Sequence, residues 1–345
     1  PSPDAHPVLQ AVLVDKEGRR WGEAEKAIDL GLEVDFPGPW LRKLHTSPDG
    51  HSLVADVQYG DAWYGSYWIS PVSGQFELVT VDSDRLAFLA WGLGRQVFVG
   101  KPGYYEAAWL LNLDTGERQE FSFPKWDYGY GARAFATSFD GSWIADASIY
   151  GPTASHPGSD IEIGLTSLTG GERTVIATFQ VPVGADILPH NLAWSPDGQW
   201  LALLLTRALD FHTMDGELWL VRKDSKSSTA IAQGLTVYCP PTWSPDGRYI
   251  AFARAKYPSR SDVPADLWLL DMASSSEIQL TRFTDRRVTS FSWSPDSQRL
   301  AFAVTLGDYG EVWGTSLDGT DQYPVAGPTA PWAPVAWLPG LEGGQ

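Results

Sequence analysis

Trp243-Ser244-Pro245-Asp246-Gly247-Arg248-Tyr249-Ile250-Ala251-Phe252, followed at 266–271 by Asp-Leu-Trp-Leu-Leu-Asp, is the stretch from which the fold can be read. Proline presets φ and glycine tolerates positive φ, so Pro245-Asp246-Gly247 makes a tight turn between two apolar runs. The runs are strands: one ending at Trp243, a second over 249–254, a third carrying Trp268 over 266–271, and a fourth over 277–281. The phrase recurs as Trp194-Ser-Pro-Asp-Gly198 and Trp293-Ser-Pro-Asp-Ser297. Looser copies stand at Thr46-Ser-Pro-Asp-Gly50, Trp91-Gly-Leu-Gly-Arg95, Thr137-Ser-Phe-Asp-Gly141 and Trp337-Leu-Pro-Gly340. Measured at the Ser position, the seven copies lie 45, 46, 57, 49, 50 and 44 residues apart, and the wrap from the last through both termini to the first is 54. Each interval suits one four-stranded blade, and the wrap is one more interval of the same size.

The spacing therefore predicts an all-β, seven-bladed β-propeller of four-stranded blades, a single domain over 1–345, with a six-bladed ring as the alternative. The copy at 334–337 has too little chain after it to complete a blade. N-terminal runs at 8–14, 19–24 and 28–34 are expected to supply its partners, so that the last blade is closed by strands from both ends and no sheet edge stays open. Bulk composition agrees. Thirty-four Gly and 25 Pro are spread along the whole chain as punctuation, and 43% apolar residues suffice for a large core.

Forty-two acidic against 25 basic side chains leave a formal charge of −17, which opposes nucleic acid as a partner. The apolar runs are far shorter than a membrane span needs. A lone cysteine, Cys239, excludes an internal disulfide and a Cys-based metal site. The chain begins at Pro1 rather than Met, which suggests a removed leader and an extracellular or periplasmic protein.

Trp-Ser-Pro-Asp-Gly followed by Arg-Tyr-Ile-Ala-Phe and Asp-Leu-Trp-Leu-Leu-Asp resembles the WD-like β-propeller repeat of TolB and of the propeller halves of prolyl oligopeptidase-like enzymes. The resemblance covers essentially the whole chain and implies a fold without implying an activity. There is no room for the separate α/β domain of TolB-like proteins. The Gly-x-Ser-x-Gly elbow of the peptidases is also missing, so serine peptidase activity is not expected.

Turns joining the third and fourth strands are short, for example 71–74, 114–116, 169–171 and 318–319. The second-to-third connections at 59–64, 101–106, 150–160, 207–215, 256–266 and 307–311 are longer and carry rings and charges. All of these rise on one face of a propeller, so that face is the expected binding surface. Its candidates are Trp63, Tyr64, Tyr104, Tyr105, Tyr128, Tyr130, Arg133, Tyr150, His156, His190, Arg207, His212, Arg254, Tyr257, Arg286 and Tyr309. Tyr, Trp and Arg combine broad contact area with a polar handle, the composition of binding hot spots.

The expected partner is a protein segment or a glycan, held without enzymatic action. No cofactor, no metal and no catalytic residue is assigned. The alternative is a polysaccharide lyase, in which a Tyr or His takes a proton beside a uronate carboxylate while Arg neutralises the charge. His156, His190 and His212 share the predicted face and could hold a metal, although loop histidines are more often plain polar surface. Trp68, Trp109, Trp219, Trp268 and Trp313 recur at one register of the third strand and are read as inter-blade packing. The turn aspartates Asp197 and Asp246 are read as turn chemistry, as is the Asp318–Asp321 cluster.

Overall fold

The structure is a computed structural model. It describes residues 8–11, 26–29, 40–47, 51–59, 63–70, 76–79, 86–100, 107–123, 132–150, 159–181, 185–186, 191–210, 213–224, 227–236, 239–255, 263–329 and 334–338. Every regular element among them is a β-strand, and every strand pairing is antiparallel where its register is resolved. No helix among the described residues is long and apolar enough to cross a membrane. Contacts divide the chain into two compact units, one of residues 1–87 with 279–345 and one of residues 88–278.

From Ala87 to Gln279 the chain forms four consecutive repeats of four strands in chain order, the first two as separate sheets and the last two joined through the pairing of Leu235 with Arg254. They are Ala87–Trp91 to Arg118–Ser122, Ala132–Thr137 to Thr174–Val181, Leu192–Trp194 to Ser228–Leu235, and Thr242–Trp243 to Ser276–Gln279. Neighbouring sheets stack through apolar layers. Ala145, Ile161 and Ile163 of one sheet meet Leu201, Leu203 and Val221 of the next, and Leu204 and Leu218 in turn meet Ile250 and Phe252. Another layer holds Phe98, Phe121 and Phe123 against Phe135, with ring centroids 4.9–6.2 Å apart. Innermost strands are tied directly: the Trp194 indole N–H donates to the Ala136 carbonyl at 3.0 Å, and the Trp243 indole N–H to that of Ala193 at 3.2 Å.

The unit of residues 1–87 with 279–345 contains the sheet Trp40–Thr46 to Phe76–Leu78 and the strands Arg287–Trp293, Arg299–Leu306, Tyr309–Ser316 and Gln322–Thr329. Val8–Ala11 pairs with Lys26–Asp29 as a separate two-stranded sheet. The expected sheet shared by both ends is not formed among the described residues, since 334–338 adopt no strand. The reason is local. The Val335 and Trp337 N–H groups donate to the hydroxyls of Ser290 and Ser292 at 3.0 and 2.9 Å instead of to backbone carbonyls, and Pro334 has no N–H. Ala336 and Leu338 nevertheless pack on Leu53, Ala55, Val57, Tyr67 and Ile69, so the C-terminal copy of the motif rests between the first and sixth repeats within this unit.

The Ser-Pro-Asp-Gly turns share one wiring. Ser244 Oγ donates to Asp246 Oδ1 at 2.6 Å, that oxygen accepts the Arg248 N–H at 3.0 Å, and Ser244 Oγ accepts the Tyr249 N–H at 2.9 Å. The same three bonds recur at Ser138 and Asp140, Ser195 and Asp197, and Ser294 and Asp296. Gly247 closes its turn at φ 73°, a region costly for residues with a Cβ. Asp246→Ala strands a buried hydroxyl and a backbone N–H. It is expected to destabilise the protein by about 1–2 kcal/mol in urea unfolding, without altering the far-ultraviolet spectrum of the folded state.

The turn that joins the third and fourth strands of the sixth repeat reuses the device. Asp318 accepts bonds first from the Ser316 hydroxyl, then from the Thr320 N–H and hydroxyl, which hold its pKa down at about 2 against an ordinary 3.8. Asp140 is lowered by the Ser138 hydroxyl, and Asp271 by the Ala273 N–H. The folded state binds these protons more weakly than the unfolded chain, so their stabilisation is complete above the ordinary carboxylate range and disappears as pH falls through the folded values. The urea midpoint is therefore expected to fall between about pH 4 and pH 2, and Ser316→Ala to shift the Asp318 carboxyl resonance toward the ordinary titration range.

Candidate binding site

Within the unit of residues 1–87 and 279–345, a cleft of ≈ 830 Å³ opens over the outer half of the sixth repeat. Its floor is the pair Tyr309–Ser316 and Gln322–Thr329, and it is lined by Tyr309, Glu311, Trp313, Pro324, Val325, Ala326, Gly327 and Pro328. Side chains two residues apart on a strand share a face, which puts Tyr309, Glu311 and Trp313 in one row. The row begins right after the connection 307–308, where Gly307 takes φ 62° to close a two-residue hairpin.

Arg286 lies just before the first strand of this repeat and reaches across to the row. Its Nη1 donates to Glu311 Oε2 at 2.6 Å while its guanidinium sits 5.5 Å from the centre of the Trp313 ring. The Trp313 indole N–H donates to the same Oε2 at 2.9 Å. Both charged side chains keep about a quarter of their surface, 25% for Arg286 and 27% for Glu311, and Tyr309 is 42% exposed. The cleft thus combines two aromatic rings, a mutually neutralised ion pair with polar edges still in solvent, and an apolar proline-bearing wall. Among the described residues no group of three His, Cys, Asp or Glu side chains could hold a metal.

Of the residues expected on the binding face, Tyr309 lines this cleft, and Arg286 touches it through Glu311 and Trp313. Arg254 does not join it. Both guanidinium ends bind Glu277 at 2.7 Å, its Nε donates to the Gln233 carbonyl at 3.0 Å, and it lies 4.7 Å from the Trp268 ring centre. This fork-to-fork pair over an indole ties the strand Tyr249–Ala255 to Ser276–Gln279 and leaves the arginine with a structural task. Trp63, Tyr64, Arg133, Tyr150 and Arg207 fall within strands and not in connecting loops, because strand pairing continues further than the sequence suggests. Tyr309 is likewise a strand residue. Tyr104, Tyr105, Tyr128, Tyr130, His156, His190, His212 and Tyr257 lie outside the described residues.

Sequence reasoning missed Glu311, Trp313 and Pro324 as site residues. A signal existed: an acidic residue stands two positions before the tryptophan in Glu217-Leu-Trp219, Asp266-Leu-Trp268 and Glu311-Val-Trp313. In the first and last of these the carboxylate accepts the indole N–H. Trp219 and Trp268 pack on the apolar layers as expected, whereas Trp313 also lines the cleft. The other exposed apolar residues, Leu93, Phe139 and Ile231, belong to the unit of residues 88–278, the first two on turns between first and second strands. Arg254→Ala is expected to cost about 1–2 kcal/mol in thermal or urea unfolding while leaving ligand binding at the cleft unchanged.

No family model matches the chain, and no curated protein matches it. Solved structures do. The β-propeller domain of Cps50 (Swd1) from Myceliophteria thermophila matches at 12% identity over 88% of this chain and 94% of that one, with a TM-score of 0.56. Hydrazine synthase of Kuenenia stuttgartiensis matches at 15% identity over 84% of this chain and 80% of that one, with a TM-score of 0.58. TolB from Acinetobacter baumannii is also among the matches, at 19% identity over 89% of this chain and 69% of that one, with a TM-score of 0.48. At such identities likeness extends to the fold alone: the chain is an all-β protein of the β-propeller kind, with the WD-like repeats of its sequence.

Proposed function

We propose that this chain is a non-enzymatic binding protein, exported to the periplasm or the extracellular space, that holds a protein segment or a glycan on its propeller scaffold. The observation that carries the reading is the cleft of the sixth repeat, lined by Tyr309, Glu311 and Trp313, with Arg286 held against the last two. A largely apolar surface that carries a few fixed polar groups is a setting in which ligands bind. The scaffold we propose is one seven-bladed ring over 1–345. Supporting it are the repeat spacing and the seat of Ala336 and Leu338 against the first repeat.

The lyase alternative has less behind it. Arg254, the cation available for charge neutralisation in that reading, is bound at both ends by Glu277, and Arg286 is paired with Glu311. A screen of glycan and peptide arrays, run with and without chelator, tests the proposal together with an ultraviolet assay for unsaturated sugar released from uronate polymers. Saturable binding that survives chelation, with no product released, is the expected outcome. Turnover of a uronate polymer would overturn the non-enzymatic reading.

A further inference from the structure

The cleft restricts the chemistry of its occupant more tightly than the general reading does. Glu311 offers one oxygen to both Arg286 and Trp313, and its other oxygen, Oε1, accepts no hydrogen bond from any described residue. Arg286 spends only Nη1 on that pair, and its Nε and Nη2 donate to no other described residue. The Tyr309 hydroxyl likewise bonds to no described residue, and the residue is 42% exposed. An acceptor, a donor fork and a phenol therefore stand beside indole and phenol rings, with no net charge between the two ionised groups.

Three classes of occupant fit this poorly. An extended peptide adding itself to the outer strand would need a run of N–H donors, yet Gln322–Thr329 carries Pro324 and Pro328, which have none. An anionic polymer meets a partly exposed carboxylate at the site and a chain of formal charge −17 around it. A purely apolar ligand would strip water from the ion pair without replacing its hydrogen bonds.

We infer that the cleft binds a neutral pyranoside glycan. Resting on the binding-protein reading, this names its ligand class. A pyranose presents a flat array of polarised C–H groups that lies on an electron-rich aromatic face, and its edge carries adjacent hydroxyls that can donate and accept at once. Tyr309 supplies the accessible ring, Trp313 forms the base beneath the ion pair, Glu311 Oε1 accepts from one hydroxyl and Arg286 donates to its neighbour. Groups already fixed by one another lose little freedom when the sugar arrives. The pairing of Glu311 with Arg286 and Trp313 is thus a positioning device as well as a contact.

The test is calorimetric titration of the intact chain with neutral hexasaccharides (β-glucan, β-mannan, β-xylan and chitin fragments), with hexagalacturonate and with proline-rich and proline-free decapeptides. At least one neutral hexasaccharide is expected to bind saturably. Tyr309→Ala and Glu311→Gln are each expected to weaken that binding by about tenfold or more, as loss of a stacking face or a charge-assisted hydrogen bond does. Tyr309 is exposed, so its variant is expected to keep the wild-type thermal midpoint, and Ile231→Ser, on an exposed strand position elsewhere, to keep wild-type affinity. Binding of a decapeptide or of hexagalacturonate, weakened by Tyr309→Ala, with no neutral sugar bound would overturn the ligand class and leave the binding-protein reading standing. Sugar binding indifferent to both cleft variants would overturn the site, and no binding by any probe would overturn both.

Discussion

The indole N–H of Trp194 donates to Ala136, and that of Trp243 to Ala193, so the innermost strand of one repeat is fastened to that of the repeat before it. Around each bond lies a layer of side chains drawn from both sheets, with Ile161, Ile163, Leu201 and Leu203 at or near zero exposure. A single blade cannot hide both of its faces, and each fully buried aliphatic side chain contributes about 1.5–3 kcal/mol. Stability in such a chain is a sum over neighbouring interfaces. The requirement to cover the next blade explains why the second strands, such as Arg299–Leu306 and Tyr249–Ala255, are almost continuously apolar and do not alternate.

Two acids set into these sheets are held by partners. Asp146 is wholly buried in the second strand of its sheet, where a Leu or Phe stands in later repeats, and it is held by Arg173 through two bonds of 2.8 Å and by the Ser148 hydroxyl. In the first repeat Asp56 stands one position further along the second strand, and is met by His45 at 2.9 Å and Ser66 at 2.7 Å. The acids are supported because an unpaired carboxylate in such a place would be costly. At the periphery the opposite problem arises, since an outer strand exposes its hydrogen-bonding edge. Pro324 and Pro328 blunt that edge in the sixth repeat, and the same prolines form the wall of the cleft. Protection of the edge and construction of the site come from one strand.

The repeat was legible because its chemistry is local. Proline, aspartate and glycine act within a turn of a few residues, so their spacing along the chain announces each blade before any fold is known. The site was legible only in part. Arg286 and Tyr309 were visible as a cation and a ring near a connection, but Glu311 reads as an ordinary strand residue until a guanidinium 25 positions away is seen to reach it. Trp313 shares its register with four packing tryptophans, and nothing in its neighbours along the chain marks it out as lining an opening.

From the amino-acid order alone came the all-β class, the blade-sized period and the turn chemistry, because each follows from short-range sterics. Tertiary structure alone decided that 334–338 form no strand among the described residues, that Arg254 is occupied by Glu277, and that Arg286, Glu311 and Trp313 form one polar–aromatic cluster. Those outcomes depend on which of several competing partners a side chain or an N–H reaches first in space. Sequence spacing carries no record of that competition.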